Sequence, residues 1–179
     1  MNIFVTSPDP AECAAALADA HVVKMAVETA QILSSALHRM GAKPHSGVGE
    51  KKVAGLAIGC SFYKPTHTGH PCVMWAARDA RNFGWLVQHG IFLCAEYSRR
   101  FGCKRHGSLD VIERAAEVAM RLPGYSSEPP KDFARVFPDA FAALGIHEGY
   151  RAYLKAKYQS WPESRQRWTN SQRPAWSLQ

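Results

Sequence analysis

No apolar run in this 179-residue sequence approaches the roughly 20 residues that a membrane-spanning helix needs. The opening Met1-Asn2-Ile3-Phe4-Val5 has no basic n-region, which predicts no secretory leader and a cytoplasmic protein. The five cysteines (Cys13, Cys60, Cys72, Cys94, Cys103) form an odd set with no CxxC pair. Free thiols are expected, and neither a disulfide framework nor a cysteine-based zinc site is. Also missing are HExxH, HxE…PCxxC, a phosphate-binding P-loop, GxGxxG and GxSxG. Metalloprotease, zinc-deaminase, NTP-driven, dinucleotide and serine-hydrolase chemistry therefore have no motif behind them. Acidic side chains are in deficit, with Asp+Glu 15 against Lys+Arg 22 and a net charge of +7. That balance favours a polyanionic partner.

What is present is enough apolar material for a core: 46% hydrophobic and 11% aromatic residues. The length fits one domain, 1–179. The basic surplus sits in the second half. Residues 1–98 hold 8 Lys+Arg and 7 Asp+Glu, whereas residues 99–179 hold 14 and 8. From Tyr150 onward six cations alternate with six aromatics, and Glu163 is the lone carboxylate. In this mixture Arg151, Lys155, Arg167 and Arg173 can hold phosphates, while Trp168 and Trp176 offer faces for stacked bases. DNA is the expected partner and a membrane is not; oligomeric state is not readable. The competing reading is an ordinary amphipathic helix followed by a tail pinned by its aromatics.

Periodicity reads as almost wholly helical, an all-α single-domain bundle with two long central helices and a basic aromatic C-terminal tail. Ile3–Thr6 suits a short extended piece. Asp9-Pro10 starts a helical pattern that runs to Met40, with a break expected near Ala18–Ala20. Residues 41–69 read as a long loop holding a short helix near Val53–Ile58. A second long helix is predicted from Pro71 to just before Gly102. Ser108 can cap a third through Leu122. Pro123–Pro130 reads as a linker, Pro138 interrupts any helix through Phe133, Phe137 and Phe141, and a last helix spans Ile146–Tyr158.

The first long helix carries an unusual stripe. At about 100° per residue, His21, Lys24, Glu28, Gln31 and Ser35 fall within roughly 80° of one another, with apolar residues on both sides. A solvent-facing helix spreads many charges over its polar side; a narrow stripe of one cation, one carboxylate, one imidazole and one amide fits a pocket instead. A surface Lys24–Glu28 pair is the plainer alternative, although Lys before Glu is the weaker order for helix stabilisation. The second long helix aligns Trp75, Arg78, Asn82, Trp85, His89 and Glu96 on one side. These residues suit either a flat substrate held by stacking and hydrogen bonds or buried core tryptophans beside a snorkelling arginine. His67-Thr68-Gly69-His70 is an HxxH at a helix entrance. With no partner motif it predicts hydrogen bonding, for instance to DNA phosphate, and no metal or other cofactor is expected.

Leu17-Ala18-Asp19-Ala20-His21-Val22-Val23, followed by Glu28, resembles the active-site helix of phage pyrimidine-dimer DNA glycosylases of the endonuclease V type. Gly69-His70 opening a helix, Cys94-Ala95-Glu96 with Arg100-Phe101-Gly102, and Gln172-Arg173-Pro174-Ala175-Trp176 are similar to further pieces of that family in the same order. The His21-Val22-Val23-Lys24-Met25 segment also resembles phage proteins of unassigned function. The resemblance implies a compact, all-helical, metal-independent enzyme, encoded by a phage. In such an enzyme a helix Glu works beside a free N-terminal amine that attacks deoxyribose C1′, and the flipped-out nucleotide is held by basic and aromatic residues. Glu28 would take the carboxylate role, with Lys24 and His21 tuning or positioning it. Gln31, His67, His70, Trp75, Arg78, Asn82 and Trp85 would contact substrate. The chain departs from the family at Asn2, where a small Thr is expected and Met1 should now be retained, and at Ile3 and Val27, where basic residues are expected. The reading is a DNA-binding, glycosylase-like enzyme acting on a base or deoxyribose. The alternatives are a transferase of pyrimidine hypermodification on the same scaffold and a non-enzymatic DNA-binding protein.

Overall fold

Asp9 Oδ1 accepts the Ala11 N–H at 2.7 Å, and Pro10 sits preset in the first turn, so helix α1 (Pro10–Ala16) begins at once. A computed structural model describes residues 1–41, 51–53, 56–58, 62–126 and 128–178. Leu17 and Ala18 are extended, with ψ of 142° and 156°, and separate α1 from α2 (Asp19–Arg39). The break therefore falls at the edge of the expected window. Strands β1 (Lys51–Val53) and β2 (Leu56–Ile58) pair antiparallel with Val53 opposite Leu56. A hairpin thus stands where a short helix was expected: three-residue segments cannot close a stable helical turn, but they can satisfy one another across a ladder. Cys60, one of the five cysteines, lies outside the described residues.

The helix predicted from Pro71 is two helices, α3 (Pro71–Arg78) and α4 (Ala80–Arg100). Asp79 is the cause. Its backbone is extended (φ −144°, ψ 139°), and its carboxylate accepts the Arg81 N–H at 2.8 Å, capping the next helix. α5 (Leu109–Ala119) follows, with Ser108 before it but no side-chain cap: its backbone is helical (φ −87°, ψ −5°) instead of extended, and its hydroxyl accepts from the Tyr63 hydroxyl. α6 (Ile146–Gln159) closes the helical part, preceded by a short 3₁₀ turn at Asp139–Phe141, beyond Pro138.

The all-α reading holds. The helices share one core in which α4 is flanked by α1, α2 and α5. At Gly90 α4 packs tightly against α2 and α5: a methyl added there would meet Thr29 Cγ2 at 2.9 Å and Ile112 at 3.1 Å. Among the described residues no helix is long and apolar enough to cross a membrane.

One buried cation locks the tail to this core. The Arg100 side chain is fully buried and bonds Glu96, Asp19 and the Leu17 and Ala15 carbonyls. Asp19 in turn accepts from the Thr169 N–H and hydroxyl. The Leu-Ala-Asp and Glu96…Arg100 segments, far apart in sequence, are thus halves of one buried ion cluster.

Candidate active site

Glu28 lies midway along α2 with its side chain 12% exposed. Its two oxygens have different partners. Oε1 meets the Lys24 ammonium at 3.2 Å, and Oε2 accepts the backbone N–H of Asn2 at 3.0 Å. Lys24 is mostly exposed, whereas Asn2 is buried, so one partner is free to move and the other is fixed.

The opening of the chain and α3 complete the surroundings. The His70 side chain caps α3, its Nδ1 accepting the Cys72 N–H at 3.2 Å. Burial, then the N-terminal ammonium and His67, hold the His70 imidazole below its usual pKa, against an opposing pull from Glu28. Burial pushes the Cys72 thiol up to about 12, and both the N-terminal ammonium and Glu28 act on it. Glu28, His70, Cys72 and the N-terminus therefore share one locus. A carboxylate held by a cation and an N–H, beside an imidazole biased to neutrality, can stabilise developing positive charge and exchange a proton.

His21 does not join them. Two helical turns from Glu28, it is packed against Phe4 (4.9 Å between ring centroids) and Trp161 (4.7 Å), with Nδ1 3.2 Å from the Tyr158 hydroxyl. Burial, reinforced by Lys157, Lys24 and Arg165, lowers its pKa to about 3, so it is a neutral packing residue. The expected shared hollow of residues 21, 24 and 28 reduces to Lys24 and Glu28, because α6 and Trp161 close over His21. Gln31, one turn beyond Glu28, is half-exposed.

The aromatic face on α3 and α4 also turns inward. Trp75 and Trp85 are each 4% exposed and donate to the Asp132 and Pro8 carbonyls at 2.9 and 2.7 Å. Asn82 Nδ2 donates to the Trp75 carbonyl, and His89 stacks on Trp85 with neither ring nitrogen partnered among the described residues. They pack the core and bridge the helix break instead of receiving a base. Arg78 alone stays exposed, paired with Asp132, and both line a cavity of about 640 Å³ together with Trp75 and Phe133.

The C-terminal segment divides in two. Trp168 Nε1 donates to the Ala16 carbonyl, and Arg173 sits over the Trp168 ring at 4.9 Å while bonding Ser177. Trp176 is half-buried against the core, and Arg151 Nε donates to the Thr6 carbonyl at 2.8 Å. These four are used within the fold. Arg167 is exposed and Lys155 half-exposed.

His67 has φ +50° and its Nδ1 lies 2.7 Å from the Thr66 hydroxyl. His67 and His70 make hydrogen bonds, and no group of three or more metal-ligating side chains occurs among the described residues.

Sequence reading missed Asn2 as a contact of Glu28. The signal was its departure from the family's small second residue. Tyr150 and Tyr158 carry no local signal, since their partners are more than fourteen residues away or are backbone groups.

A sequence model of the pyrimidine dimer DNA glycosylase family matches residues 1–109, more than half of the chain. The chain belongs to that family. No curated protein and no solved structure matches it. Asn2, Lys24, Glu28, His67, His70 and Cys72 all fall inside the glycosylase match. Val136, His147, Tyr150, Arg151 and Tyr158, which pack on the N-terminal segment and on His21, fall outside it.

Proposed function

We propose that the protein is a DNA glycosylase-like enzyme that acts at deoxyribose C1′ of DNA, with Glu28 as the acid/base group. The observation that carries this reading is the Glu28 carboxylate held between Lys24 Nζ and the Asn2 N–H, beside the N-terminus and His70. When the C1′–N bond breaks, its electron pair leaves with the base and positive charge develops on the sugar. A carboxylate of fixed orientation stabilises that charge and then takes a proton from the incoming nucleophile. The nucleophile is water or the nearby N-terminal amine; attack by the amine ends in an imine. Lys24, mostly exposed, neutralises the flanking phosphate, and exposed Arg167 and half-exposed Lys155 add further phosphate contacts.

The test is release of base and strand nicking from UV-irradiated and abasic duplex DNA, for wild type and Glu28→Gln. Loss of both in Glu28→Gln supports the reading, and equal activity in the two proteins removes it. Borohydride added during turnover traps a covalent protein–DNA adduct if the amine attacks, and none if water does.

A further inference from the structure

The Asn2 side chain makes contacts that its neighbours in the extended N-terminal piece do not. Its Nδ2 donates to the Val136 carbonyl at 2.6 Å, 134 residues away. Its Oδ1 accepts the N–H groups of Ile3 and Phe4 at 2.8 and 3.3 Å. That double acceptance folds residues 2–4 into a tight turn and holds Phe4 at φ +45°, a region a phenylalanine seldom adopts. The Phe4 ring is then buried among His21, Tyr150 and Tyr153.

The receiving surface is itself braced. The Tyr150 hydroxyl accepts the Val136 N–H at 3.1 Å and donates to the Ala134 carbonyl at 2.7 Å. His147 Nδ1 lies 3.1 Å from the Val5 carbonyl, and Arg151 Nε bonds the Thr6 carbonyl. Residues 2–6 are therefore tied at three levels to residues 136–151, all outside the family match. At the near end of this clamp stands the one backbone N–H that fixes Glu28 Oε2.

We propose that Asn2 is a positioning residue for Glu28: its carboxamide, anchored on Val136 and braced by Tyr150, sets the direction of its own backbone N–H and so the orientation of the Glu28 carboxylate. Oε2 is held by the clamp, and Oε1, whose partner is the exposed Lys24 ammonium, is the oxygen that works on substrate. The inference rests on the acid/base role of Glu28 given above. Its consequence is that the C-terminal part of the chain is needed to complete a site whose reacting groups lie in the N-terminal part.

The test compares wild type, Asn2→Asp, Tyr150→Phe and Glu28→Gln for nicking of UV-irradiated and abasic duplex DNA between pH 5 and 8.5, with thermal unfolding measured alongside. In Asn2→Asp the protonated carboxyl can donate to the Val136 carbonyl as the amide does, whereas the ionised form sets two oxygens against each other. The expected result is a kcat lowered about 10- to 100-fold at pH 8, the scale of a misplacement of about 1 Å, and recovering toward pH 5. KM should stay within about threefold, because the groups that hold phosphate are untouched. Tyr150→Phe keeps the ring and removes both braces, and should lower kcat in the same sense at every pH. A kcat at pH 8 equal to wild type in Asn2→Asp, or a fall in melting temperature without a fall in kcat, overturns the positioning role. Full activity in Glu28→Gln overturns the functional reading and this inference with it. An inactive Glu28→Gln beside a fully active Asn2→Asp overturns the inference alone.

Discussion

The backbone N–H of Asn2 meets Oε2 of Glu28 at 3.0 Å, joining the second residue of the chain to the middle of α2. A carboxylate restrained in this way on one side keeps its orientation when the exposed Lys24 swings toward a phosphate. Replacing Glu28 by Gln keeps the shape but removes the charge. We expect activity on UV-irradiated DNA to fall by about 10²- to 10⁴-fold, the usual contribution of a positioned acid/base group. Stability should change by less than about 1 kcal/mol, since the Lys24 partner is solvent-exposed. Single-turnover nicking and urea denaturation measure the two effects separately.

Two deeply buried imidazoles contribute to the response to acid. Burial lowers both His21 and His89 to about 3, while unfolded histidine titrates near 6.5. Between those limits the unfolded chain binds protons that the folded chain does not. Their contribution to stability is therefore flat above about pH 6.5 and is expected to fall as the pH drops below it, with a slope of about 1.4 kcal/mol per pH unit for each group. His89, whose ring nitrogens have no partner among the described residues, should tolerate replacement by Leu with little cost at pH 7. Urea midpoints from pH 4.5 to 7.5 should show a shallower acid slope in His89→Leu, and an unchanged slope would refute this assignment.

Arg100 binds two carboxylates and two carbonyls with no exposure to water. Arg100→Met strands those acceptors, and a loss of about 3–5 kcal/mol is expected. Arg100→Lys should also destabilise, because an ammonium cannot reproduce the planar fork. Limited proteolysis should then cut between Gln166 and Leu178 before the helical core, since Asp19, which holds Thr169, loses its Arg100 anchor.

The basic tail separates into cations that face outward and cations already used. Arg167→Ala and Lys155→Ala should weaken DNA binding and lower the salt slope of log K by about 1 each, with little change in melting temperature. Arg173→Ala and Trp168→Ala should instead lower the melting temperature, since they contact Ser177 and the Ala16 carbonyl. Fluorescence anisotropy across a salt series, paired with thermal unfolding, distinguishes the two groups.

The sequence by itself determined the helical class, the position of Glu28 and Lys24 on one stripe, and the family. Each rests on information carried within a few turns: the 3.6-residue period, a fixed i, i+4 spacing, and the order of short motifs. Even the break at Asp79 had a local cause, an Asx cap that outcompetes continuation of the helix. Tertiary structure alone decided which members of each stripe meet solvent. His21 and Lys24 share a helical face, yet α6 buries one and leaves the other in water. Trp75 and Trp85 could equally have faced a ligand or a core, and the Asp132 and Pro8 carbonyls settled the choice. Contact between Asn2, Glu28 and Val136 spans the length of the chain, and periodicity holds no information about separations of that size.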